Sequence, residues 1–314
     1  MQVGPFQVTY CTNVHPGQTL DELFQVLERD VPDVKTHLTS DSFGVGLRLG
    51  NPVVRELSQN PDALQRLIDV CNFHKYEIFT VNGFPYGNFD TGVVKQSVYE
   101  PDWRQAERVD YTIALAEILA ALPGPRERTI STVAGGFGPD TREPEDRQLM
   151  AQNMVVTATA LSKIEDETGV KIRLCLEPEP WTTLETTEDV LSFWTKHIEP
   201  TTINQSYLGL CYDCCHQALH FEDVRSSIET IEAHGITIGK IQVSSALHLQ
   251  NPDDPISREK LLAFAEERFL HQVIAKTDGT LLKCLDLPAL SVPSDAWLNA
   301  PAWRCHFHIP IWWQ

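Results

Sequence analysis

Two short segments of this chain carry side chains that can move a proton or hold a cation. In Leu176-Glu177-Pro178-Glu179-Pro180 a carboxylate directly follows the apolar run Ile172–Leu176. The prolines on either side fix the loop and supply no amide donor. In Tyr212-Asp213-Cys214-Cys215-His216 a second apolar run ends on Asp213, and His216 follows three residues later, able to turn back toward the same point. One carboxylate with one imidazole suits a divalent ion or proton transfer. Each residue also has an ordinary role open to it. Glu177 and Glu179 could be edge carboxylates in solvent or paired with arginine, Asp213 could cap the next helix, and His216 could lie on the surface. Cys214 and Cys215 are soft ligands, but adjacent cysteines do not easily bind one ion and no second CxxC pair exists.

A further pair stands near the end of the chain. His306 and His308 alternate with Cys305 and Phe307, so on a strand both point to one side and offer two imidazoles to an ion. Carboxylates with one or two histidines suit Mn²⁺, Mg²⁺ or Zn²⁺. The metal candidates are therefore Glu177, Asp213, His306 and His308, with Glu177 and His216 as the catalytic candidates. Polar residues near other apolar runs, Asn13, His15, Asn82, Glu179 and Gln242, are the substrate-binding candidates. Asn13 and His15 flank the first turn, where such residues commonly just shape a loop.

The elements that would position these groups form an alternation. β-rich runs occur at Phe6–Cys11, Phe43–Leu49, Tyr76–Val81, Thr129–Val133, Ile172–Leu176, Tyr207–Tyr212, Ile236–Val243 and Cys305–Ile311. Helical patterns fall between most of them. Thr19 can cap a helix with Leu20, Leu23, Phe24 and Leu27 on one face; Val53–Phe73 reads as one or two helices with Pro61 at an N-terminus. Pro101 and Pro144 open two more, the second closed by Gly169, and Thr187–His197 and Glu222–Ala233 supply another pair.

Strands alternating with helices imply parallel strands joined by crossovers. Eight such units in 314 residues favour one closed (β/α)₈ TIM barrel, a single domain over 1–314, with the polar site at the carboxyl ends of the strands. No GxGxxG follows the first strand, and Gly135, Gly136 and Gly138 lack P-loop spacing and read as a tight turn. Ser244–Trp303 is a proline-rich insertion with one expected helix, Arg258–Phe264, over the catalytic end. The chain stops at Ile311-Trp312-Trp313-Gln314 with no helix to cover that run: either it is shortened or the terminus packs unusually.

The formal net charge of −18 argues against a nucleic-acid partner, which requires a basic surface, and gives no support for binding anionic membranes. No stretch reaches the roughly 18 apolar residues of a spanning helix, and Met1–Tyr10 lacks the pattern of a signal peptide. A cytoplasmic location is expected, with the eight cysteines as thiols or metal ligands; Cys175, Cys211 and Cys305 read as small buried hydrophobes.

The order "LEPEP", "CYDCCH" and "KIQVSS" resembles the xylose isomerase-like barrel superfamily of sugar isomerases, epimerases and endonuclease IV-type enzymes. More closely, "TYCTNVHPG", "CLEPEP", "CYDCCH", "KIQVSSAL" and "CHFHIPI" resemble the metabolite traffic protein EboE family over nearly the whole chain. The superfamily implies a divalent ion held by Glu, Asp, His and Glu on the last four strands. Glu177 and Asp213 match the first two, and His216 matches a histidine that contacts substrate in the epimerases. Gln242 stands where the third ligand is His, and no acidic residue follows His308 to supply the fourth. The resemblance thus implies an EboE-like protein of a metabolite biosynthesis or export pathway, with a metal-dependent isomerase- or epimerase-type site for a small polar metabolite. Other proteins of that pathway would be its partners. The alternatives are a non-catalytic metabolite-binding or trafficking protein and an endonuclease IV-like phosphodiesterase; the negative charge counts against the second.

Overall fold

The computed structural model describes residues 1–38, 41–85, 95–267 and 269–309. Seven of the predicted runs form strands: β1 (Tyr10–Cys11), β2 (Phe43–Arg48), β3 (Tyr76–Asn82), β4 (Glu127–Val133), β5 (Lys171–Glu177), β6 (Leu208–Asp213) and β7 (Ile238–Gln242). They pair in sequence order, every pairing parallel. The local signals act where they stand in the sequence. Thr19 and Glu22 close a reciprocal capping box on α1 (Leu20–Gln25). Asn60 and Pro61 start α4 (Pro61–His74) directly after α3 (Asn51–Gln59). Pro144 lies in the first turn of α6 (Pro144–Thr168), which ends on Gly169 at φ 74°. Pro101 is the exception: α5 begins only at Ala106 and runs to Ala121, so that proline belongs to the preceding turn, whereas α2 (Val31–Thr36), α7 (Thr187–Phe193) and α9 (Val224–Ala233) fall between strands.

The sheet curls on itself. Lys240 on β7 reaches across the interior to Asn82 Oδ1 on β3 and to Ser131 Oγ on β4, 3.1 Å away. A Cβ at Gly239 would stand 2.7 Å from Cys175 Sγ on β5 and 3.5 Å from Thr129 on β4, so glycine is what lets these strands close in. Buried side chains such as Val45, Leu47, Ile78, Ile130, Leu174 and Leu210 form one apolar core with those of the surrounding helices, including Leu115, Met154 and Leu161. This is an α/β barrel whose parallel wall is seven strands wide among the described residues.

The eighth run corrects the expectation. β11 (Ala302–Ile309) does not join the parallel wall. It lies in an antiparallel sheet with β8 (Ser245–Leu249), β9 (Val273–Lys276) and β10 (Leu281–Cys284), in the order β8-β11-β9-β10. Pro310 to Gln314, and with them the expected end of that strand, lie outside the described residues. The segment read as an irregular insertion thus contributes three strands of its own, with α10 (Pro255–Leu262) and the short α11 (Asp295–Leu298) between them and β11. It has its own apolar cluster, Leu249, Leu261, Val273, Ala275, Leu287, Leu290, Ala300, Trp303 and Cys305, distinct from the barrel core. No described helix is long and apolar enough to cross a membrane.

Candidate functional site

The parallel register carries Glu177 and Asp213, the last residues of the neighbouring β5 and β6, to the same end of the barrel. Both are buried, Asp213 fully. The apolar runs before them form the strands, and chain alternation turns the terminal carboxylate inward. Asp213 performs two tasks at once. Its Oδ1 accepts from the amides of Cys215 (2.7 Å) and His216 (3.2 Å), capping α8 (Cys214–Leu219), while its Oδ2 is buried with no hydrogen-bond partner. The cap fixes the first turn of α8, and that turn carries His216 back over the mouth. His216 Nδ1 lies 3.2 Å from the carbonyl of Pro178 and 3.8 Å from Glu177 Oε1. Since a carbonyl only accepts, Nδ1 carries the proton and Nε2 keeps its lone pair.

Glu177 and Gln242 interact directly: the Gln242 amide Nε2 donates to Glu177 Oε1, whereas Oε2 has no partner. Burial first, then the facing Asp213 charge, hold the Glu177 carboxyl well above the usual carboxylate range. Glu179 sits one loop turn further on. It accepts from Tyr99 OH (3.0 Å) and from Gln272 Nε2 (3.2 Å), and burial pushes it up to about 7.

The antiparallel sheet supplies the opposite wall. His306 Nδ1 donates to Gln272 Oε1 at 2.6 Å, because the Gln272 amide nitrogen already serves Tyr99 and Glu179. That leaves His306 Nε2 unprotonated, 3.0 Å from His308 Nε2. His308 Nδ1 is 3.0 Å from Ser244 Oγ and 3.8 Å from the free Asp213 Oδ2. Burial, followed by neighbouring histidines, keeps His216 and His306 well below the ordinary imidazole value, so both are neutral bases at pH 7. Three sets of ligand atoms each lie within 4.8 Å of one another: Asp213, His216 and His308; Glu179, His216 and His306; and Cys215, His306 and His308. Buried carboxylate oxygens without donors beside the neutral imidazoles of His216 and His306 are ligand types that could hold a divalent cation.

The candidates read from sequence thus converge unequally. Glu177, Glu179, Asp213, His216, Gln242, His306 and His308 come together. Asn13 and Asn82 bond to each other (2.9 Å) deeper in the barrel, beside Lys240. His15 bonds instead to Tyr10 OH (2.8 Å) and lies 3.6 Å from Asp30; no described hydrogen bond or ion pair joins it to the carboxylates. Sequence reasoning missed Lys240, Tyr99 and Gln272. Lys240 had a signal, since it shares the face of β7 with Gln242 two residues on. Tyr99 and Gln272 lie outside the strands and had none.

The raised carboxyl of Glu179 fixes a pH dependence. Between its usual value near 4.5 and about 7 the folded metal-free protein holds a proton that the unfolded chain has released. Its stability should be fully present below pH 4.5 and fall as pH rises through 7, by roughly 3 kcal/mol for this group. Urea unfolding in chelator at pH 5 and pH 8 measures the drop, and Glu179→Gln should make it smaller, with the raised carboxyl of Glu177 supplying what remains. An unchanged slope in that variant removes the assignment.

No protein-family model matches the chain, and the search of curated proteins found no match. Solved structures do match. The xylose isomerase domain protein from Planctomyces limnophilus is 14% identical, with 78% of this chain and 76% of that one covered, at a TM-score of 0.49. The IolI protein with a binding zinc atom is 15% identical over 77% and 73%, TM-score 0.49. A D-allulose 3-epimerase from Methylomonas sp. is 13% identical over 75% and 71%, also at 0.49. At these identities and TM-scores the likeness assigns no role to this chain.

Proposed function

We propose that the chain is a divalent-metal enzyme of isomerase or epimerase type, acting on a small polyhydroxylated or carbonyl compound. The observation that carries this reading is the pair of buried carboxylate oxygens, Glu177 Oε2 and Asp213 Oδ2, left without any hydrogen-bond donor among neutral histidines. An unpaired buried carboxylate is costly, and a cation is the partner that removes the cost. Asp213 Oδ2, His216 and His308 would hold it, with Glu177, Glu179 and His306 within the same enclosure. A divalent ion bound there supplies Lewis-acid polarisation of a substrate oxygen.

The chain's own groups would do the rest. Gln242 holds Glu177 Oε1 in place, so Oε2 is the atom free to take a proton from a substrate carbon or hydroxyl and to return it. The high proton affinity of that carboxyl suits such an exchange near neutral pH. Lys240, Asn82, Asn13 and Ser131 offer donors and acceptors to hydroxyl groups further down. The finer reading, membership of the EboE family with a role in metabolite traffic, rests on the motifs "CLEPEP", "CYDCCH" and "CHFHIPI".

The test is bound metal per chain, measured by mass spectrometry on the purified protein and on Glu177→Ala. Wild type should carry close to one Mn²⁺ or Zn²⁺ per chain. The variant should lose proton-exchange activity on carbonyl sugars by ~100-fold or more. A wild type with only trace metal, matched by the variant, overturns the enzyme reading and leaves a metabolite-binding protein.

A further inference from the structure

All three tight groupings of ligand atoms need a histidine of β11, and each also needs a group of β6, α8 or the loop after β5. The barrel alone does not complete any of them. β11 belongs to the antiparallel sheet, whose apolar cluster is separate from the barrel core. What joins the two is a small apolar patch and a set of polar contacts: Trp181, Phe221 and Ala246 border the patch, and Leu270 and Leu285 rest against the barrel core. Cys215 and Leu219 of α8 pack on Ile274 of β9, and Arg304 of β11 donates to the Ala218 carbonyl at 2.5 Å. Lys283 pairs with Glu185 at 2.8 Å and Lys95 with Asp286 at 2.5 Å, both partly in solvent. The contacts of the site add to these: Gln272 with Glu179 and Tyr99, and His306 and His308 facing His216 and Asp213.

We infer that the cation is a clamp: it fastens the antiparallel sheet, residues 245–309, over the barrel mouth, so that the mouth is closed when metal is bound and open to exchange when it is not. This rests on the metal reading above and adds to it which part of the chain the ion controls. Without an ion, the closed arrangement buries Asp213 Oδ2 and Glu177 Oε2 unpartnered, and opening the sheet hydrates them. With the ion, Asp213 Oδ2 gains a partner, and the set of Asp213, His216 and His308 around that ion is complete only if β11 brings His308 to it. A ligand that binds only the closed form must shift the population toward it. Since the chain passes from β7 into β8 through Val243 and Ser244, the sheet is hinged at the strand end beside Gln242.

Amide hydrogen exchange on the chelated full-length protein, titrated with zinc or manganese alone, tests this, with calorimetric stoichiometry on the same samples. At an ion concentration 100 times Kd, exchange through opening of 245–309 should slow by about 100-fold, while β3 and β4 amides stay as they were. His308→Gln, an exposed position, should bind the ion more weakly and lose most of that protection. Stoichiometric binding with no change in 245–309 overturns the clamp and leaves the metal reading standing. Absence of binding overturns the metal reading and the clamp with it.

Discussion

Asp213→Asn should weaken zinc or manganese binding by at least ~100-fold and, in chelator, leave the urea midpoint close to wild type. The reason is that the two oxygens of Asp213 do different things. Oδ1 caps α8 through the amides of Cys215 and His216, and an asparagine oxygen caps a helix as well as an aspartate does. Oδ2 is the unpartnered atom facing His308, and there asparagine puts an amide nitrogen, a donor that repels a cation. Asp213→Ala removes both functions and should add a stability loss of ~0.5–2 kcal/mol from the missing cap. Calorimetric metal titration beside urea unfolding of both variants separates the two. Wild-type affinity in Asp213→Asn would take Asp213 out of the ligand set.

Trp303→Ala should destabilise the antiparallel sheet by ~3–5 kcal/mol, with most of the loss confined to that sheet. Trp303 is buried, crosses Trp297 edge-on at 5.3 Å between ring centres and donates its indole proton to the Trp297 carbonyl at 2.9 Å. It fills the centre of a cluster with Leu249, Val273, Ala275 and Leu287, none of which belongs to the barrel core. Its removal leaves a cavity that the short strands around it cannot close. Hydrogen exchange should therefore show lost protection in 245–309 and native protection in β4 and β5. Equal losses in both would mean that sheet and barrel unfold as one unit.

Much of this architecture was legible because its signals are local. The capping box at Thr19, the helix starts at Pro61 and Pro144, and the stop at Gly169 act within one turn of chain, and each falls where the pattern put it. Pro101 misled because a proline tolerated at a helix start is equally tolerated in the turn before one. Glu177 and Asp213 were legible for a related reason. Each ends an apolar run, and in parallel strands joined by crossovers all carboxyl ends meet on one side.

The run Cys305–Ile311, described as far as Ile309, shows the limit. Its composition specifies a strand and its alternation puts His306 and His308 on one face, and both hold. Composition does not specify the partner. Hydrogen-bonding edges are alike in every strand, so pairing is decided by which apolar surfaces can be buried together, here those of Leu249, Val273 and Trp303, far apart in sequence. The barrel alternation, the acidic residues at the mouth and the paired histidines follow from patterns within a few residues of chain. That those histidines stand on a second sheet facing Asp213 and His216, and that Lys240, Tyr99 and Gln272 join them, follows from distant segments folding onto one another. Contacts between residues 34 to 173 positions apart depend on how two cores pack, and no short-range pattern encodes that.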